Sequence, residues 1–138
     1  MDMVIEEICD AFEMAESISV YRDGQIERFV CGDATYELIL NGFEDMIEGA
    51  RQMPAFGVSL DNETREAMKK GLWVEFTFKN TLFCNEMPFE KLLVQVNENY
   101  QGFNIARYNS SCGYQGRCFF LDLVGGTMND FYNLLNNL

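Results

Sequence analysis

The sequence predicts an α+β fold in a single domain spanning residues 1–138. Three observations carry that expectation. Apolar residues recur at helical spacing through much of the first half and then at a period of two from Leu72 onward. Cap and turn residues separate these segments. The 138 residues are 48% hydrophobic and 14% aromatic, enough for one well-filled core.

The first element is a helix over 3–15. Asp2 is its N-cap, and Val4, Ile5, Ile8, Phe12 and Ala15 form its apolar stripe. Residues 17–30 read as a β-hairpin. Ile18, Val20 and Ile26 flank Asp23-Gly24, a dipeptide suited to a type I′ turn. Asp33 caps a long helix over 34–52 with Ile39, Leu40, Phe43, Met46, Ile47, Ala50 and Met53 on one face, stopped by Pro54. Gly42 and Gly49, seven residues apart, share a face of that helix and suggest close packing against another element. A short connector leads to a helix over 62–70, with Asp61 as cap, Lys69 and Lys70 in the last turn and Gly71 beyond it.

The period of two then holds through Leu72, Val74, Phe76 and Phe78; through Leu92, Val94 and Val96; through Phe103 and Ile105; and through Phe119, Leu121 and Leu123. These runs predict a four-stranded antiparallel meander over 72–124 with one strongly apolar face. Thr127 opens a final helix, 128–137, whose Met128, Phe131, Leu134 and Leu135 suit it to cover that face. Helices 34–52 and 128–137 are expected on the sheet and helix 3–15 at the periphery, with the hairpin at a sheet edge or packed separately. Trp73 shares the minor face of its strand with Glu75, so it is either covered by the N-terminal helices or turned toward a partner.

Charge is distributed unevenly. Residues 1–50 carry thirteen carboxylates against Arg22 and Arg28, and the net charge of the chain is −12. Such asymmetry bears on partners and solubility. With no basic stripe it argues against direct nucleic-acid binding, which depends on neutralising phosphates. No apolar run is long enough for a membrane helix. The N-terminus lacks a basic and then apolar leader, so a cytoplasmic protein with reduced thiols is expected.

The chain contains no histidine. That removes imidazole bases, Ser-His-Asp and Cys-His pairs, and every histidine-containing zinc site. The remaining residues form no recognisable catalytic or cofactor motif, and no metal or cofactor is expected. The adjacent acids Glu6-Glu7 and Glu44-Asp45 diverge by about 100° on a helix and so do not form shared-proton pairs. Cys112 and Cys118 flank the last hairpin, where a disulfide, two thiol ligands or two buried small hydrophobes are all open readings.

Two surfaces emerge as candidates. The first is an acidic N-terminal face with Glu6, Glu13, Glu37, Glu44 and Glu48, suited to a basic protein partner in the manner of an immunity protein or inhibitor. The second is the sheet end where the 79–89 and 110–117 loops would meet. It would bring Glu86, Cys112, Tyr114 and Arg117, with Cys84, to a small-molecule or enzymatic site. The first reading is the expectation: a non-enzymatic protein-binding or regulatory module.

Overall fold

The computed structural model describes residues 10–55, 57, 59–84 and 87–138. Its strands are β1 (Ala15–Arg22), β2 (Gln25–Val30), β3 (Arg51–Met53), β4 (Leu72–Cys84), β5 (Met87–Val96), β6 (Gly102–Tyr108) and β7 (Arg117–Asp122). The helices are α1 (Ala34–Ile47), α2 (Asp61–Ala67) and α3 (Asn129–Asn136), and residues 10–13 are also helical. All seven strands join one sheet in the order β2-β1-β4-β5-β6-β7-β3, every neighbouring pair antiparallel. The fold is α+β, as the sequence predicts. No helix among the described residues is long and apolar enough to cross a membrane.

The period-two residues fill one face. Val74, Phe76, Val94, Ile105 and Leu121 are all fully buried there, beneath Ile39, Phe43 and Ile47 of α1 and Phe131 and Leu135 of α3. Phe43 is the hub of an aromatic cluster, with ring centroids 4.6 Å from Phe12, 4.9 Å from Phe76 and 5.6 Å from Phe131. Edge-to-face contacts at these distances add to the stabilisation from burial alone. The described end of the expected helix 3–15 is therefore not peripheral, because Phe12 sits inside the core. The helix ends at Glu13 and not at Ala15, which already belongs to β1, and residues 3–9 of the expected helix lie outside the described residues.

The hairpin joins the sheet rather than packing apart. Asp23 and Gly24 take the positive φ values of a type I′ turn, 48° and 87°. Asp23 also binds the start of β4, its Oδ1 accepting from Gly71 N at 2.8 Å.

Three expected boundaries differ. The helix expected over 34–52 ends at Ile47, because Gly49, at φ +78°, turns the chain out of the helix. Arg51–Met53 then forms β3, paired with β7 at the sheet edge. Of the two helix glycines, only Gly42 serves close packing: a Cβ there would lie 2.6 Å from Leu134 Cδ1 of α3. The described residues of the region 79–89 are strand and not loop. Strand β4 runs to Cys84, which pairs with Met87 of β5, and the polar stretch is accommodated by a register shift between Thr77 and Leu82.

The other sheet face is also covered at its centre. Trp73 is buried against Met68, just beyond α2, and its Nε1 donates to Lys70 O at 2.9 Å. Its cover thus comes from the α2 side and not from α1.

Candidate functional site

On α1, the apolar residues Tyr36, Ile39, Leu40, Phe43 and Ile47 face the core. The helix flank carries Glu37 and Glu44, two turns apart, then Asp45 and the C-cap residue Glu48. Glu13, at the end of the preceding helical turn, meets this flank from a separate element. Its carboxyl is hydrogen-bonded to that of Glu44. A proton on Glu44 lets the two carboxyls meet, whereas ionisation of both sets them in repulsion. Glu44 is pushed up to about 7, first by burial, then by the bond to Glu13 and by the charges of Glu13, Asp45 and Glu37.

Among the described residues no cation pairs with this ridge. The ion pairs among the described residues are Arg22–Glu27, Arg51–Asp122, Arg65–Asp61, Lys69–Glu66 and Lys91–Glu75. None includes Glu13, Glu37, Glu44, Asp45 or Glu48. The structure thus brings Glu13, Glu37 and Glu44 together, with Glu48 one turn further on. Glu6 lies outside the described residues. Sequence reasoning missed the Glu13–Glu44 dyad because its members come from separate elements, and no spacing in the sequence signals it.

The second expected site does not assemble. Cys84 and Cys118 are buried together in the main core, where the bond to Cys84 and then burial push the Cys118 thiol up. Cys112 is exposed on its loop with its N–H donating to Asn109 Oδ1 at 2.8 Å, and no disulfide joins Cys112 to Cys118. Glu86 lies outside the described residues. Tyr114 and Arg117 belong to the opposite sheet face, and they have different roles there.

Tyr114 is a buried donor. Its hydroxyl and that of Tyr21 (2.8 Å) both bond the carboxylate of Glu75, which is only 1% exposed although it sits on the minor face of β4. Lys91 Nζ approaches the same carboxylate at 3.8 Å. Burial, then the charge of Glu75, pushes both phenols up, so they remain donors. Asp61 of α2 ties the loop down by accepting from Tyr114 N and Arg65 Nε, each at 2.8 Å, and the Arg65 guanidinium lies 5.2 Å from the Tyr114 ring centroid. The bond from Tyr114 N holds Asp61 below its ordinary value. A carboxylate with two phenol partners and an ammonium satisfies the requirement for burying a charge. This network fills the second face around Glu75.

Arg117 is half-buried, and its Nε donates to Ser59 Oγ at 2.7 Å. It closes one end of a cleft of about 470 Å³ between the 59–67 segment and the sheet, floored by Trp73, Gln95, Asn104 and Phe120. Alternation of strand residues alone does not reveal this cleft, because it depends on α2 standing over the sheet. Among the described residues no group of three Cys, Asp or Glu side chains is placed to hold a metal ion. Comparison with family models, with curated proteins and with solved structures returned no match to this chain.

Proposed function

We infer that this chain is a non-enzymatic protein-binding or regulatory module that meets a basic protein surface through Glu13, Glu37, Glu44, Asp45 and Glu48. In its use of charge it would act like an immunity protein or inhibitor. The observation that carries the reading is the Glu13–Glu44 dyad inside an acidic ridge that pairs with no cation among the described residues. Like charges held together without compensation work against the folded state. An arginine or lysine set beside the dyad would let both carboxylates ionise, so association would relieve a repulsion that the free protein carries. Opposed potentials also steer association, an effect screened over about 8–10 Å near physiological salt.

The test is capture from lysate at low and high salt with the wild type and with the triple reversal Glu37→Lys, Glu44→Lys, Glu48→Lys. The wild type should retain basic proteins at low salt and release them at high salt, and the reversal should retain none of them while keeping its circular dichroism. Identical captured sets, or no capture at either salt, would leave the ridge with a solubilising role only.

A further inference from the structure

We propose that the cleft beneath α2 is a binding site for an uncharged planar heteroaromatic molecule the size of a nucleobase or nucleoside. It opens on the sheet face opposite α1, so it is independent of the acidic ridge.

The register of the sheet builds the site. Trp73 of β4 is paired with Gln95 of β5, and Asn104 of β6 with Phe120 of β7. The β5–β6 pairing runs from Lys91–Tyr108 to Leu93–Ala106, and Gln95 and Asn104 line the cleft just past its end. Trp73 and Gln95 on one side and Asn104 and Phe120 on the other thus border the cleft from four neighbouring strands, an aromatic and an amide on each side.

The chemistry of each position narrows the ligand. The indole N–H of Trp73 is already taken by Lys70 O, so this residue offers only its ring face. The Gln95 amide, half-buried at the floor, makes no hydrogen bond among the described residues, so its donor and its acceptor both remain for a ligand. An amide pairs best with an edge that offers one acceptor and one donor side by side, as a purine or pyrimidine edge does. Gly102 keeps the floor low. A Cβ there would stand 2.5 Å from the Phe120 ring and 2.7 Å from Leu121 O, so only glycine lets the ring lie across this position. The charged residues lining the cleft are Arg117 and Glu63, one of each sign, which favours neither an anion nor a cation. A volume of about 470 Å³ lies within the range of small-molecule pockets.

The experiment titrates the full chain with adenosine, with indole and with adenosine monophosphate, followed by Trp73 fluorescence and by amide shifts of the Gln95 side chain and Gly102. Adenosine should bind saturably, more tightly than either indole or the monophosphate. Gln95→Met should weaken it at least tenfold with an unchanged unfolding midpoint, and Gln95→Glu, which keeps the shape but loses the donor, should do the same. Glu44→Gln should leave adenosine binding unchanged. Absence of saturable binding would overturn the assignment. So would equal binding of indole and adenosine, tighter binding of the monophosphate, or indifference to both Gln95 variants.

Discussion

Replacing Glu44 by glutamine should stabilise the protein at alkaline pH and leave it unchanged at acid pH. Glu44 is raised from 4.5 to about 7, so the folded chain holds this proton more tightly than the unfolded chain does. The stability this contributes is complete below about pH 4.5 and is lost as the pH rises through about 7. At about 1.4 kcal/mol per pH unit the interval bounds the loss at ~3 kcal/mol, and solvent screening at a half-buried site on the surface reduces it to about 1 kcal/mol. Glutamine keeps the shape of the protonated acid, can still donate to Glu13 and never ionises. At pH 8 the variant should gain about 1 kcal/mol, or roughly 3–5 °C in midpoint for a domain of this size. At pH 4.5 the two proteins should agree within about 0.5 kcal/mol. Urea unfolding followed by the fluorescence of Trp73, the chain's single tryptophan, at pH 4.5, 6, 7 and 8 measures the difference. A difference that does not change with pH, or a variant less stable at pH 8, would refute the account of a raised Glu44 beside Glu13.

Phe76→Ala should cost about 3–5 kcal/mol by urea unfolding, because the ring is fully buried against Phe12 and Phe43 and leaves a cavity between three elements. A loss below about 1 kcal/mol would contradict the aromatic hub. Tyr114→Phe removes one of the two phenol donors to the buried Glu75 carboxylate and should cost about 1.5–3 kcal/mol, whereas an exposed hydroxyl would cost almost nothing. Gly102→Ala should lower the midpoint, costing about 1–3 kcal/mol, because the new methyl meets the Leu121 carbonyl as well as the Phe120 ring. Gly42→Ala meets the flexible end of the Leu134 side chain, with Phe131 at ordinary contact distance, and the gain in helix propensity of about 1 kcal/mol should offset it, so equal losses at the two glycines would contradict these contacts.

The central strands are legible in the sequence because one face is buried and a slip by one residue would expose Phe76 and Leu121. The Asp23-Gly24 turn is legible for a local reason, since it needs positive φ at both positions. Strand β3 is not legible: Met53 falls at helical spacing after Met46 and Ala50, and only pairing with the distant β7 makes Arg51–Met53 extended. Glu75 looks like a solvent-facing residue from alternation, yet α2 and the loop carrying Tyr114 cover that face and supply its partners. The acidic bias of the first third is plain in composition. Its concentration at Glu13 and Glu44, like the amide pair of Gln95 and Asn104 under α2, arises only from tertiary contact.

The account of the acidic ridge is tested most directly by proton exchange on binding. A basic protein recovered by capture is titrated calorimetrically into the chain at pH 7 in two buffers of different ionisation enthalpy. Glu44, titrating at about 7, is half protonated under these conditions, so a cation placed beside it should release about half a proton per complex. Glu44→Gln should bind with no such release. Heat independent of buffer, proton uptake, or equal release from Glu44→Gln would contradict the claim that a basic partner binds at this dyad.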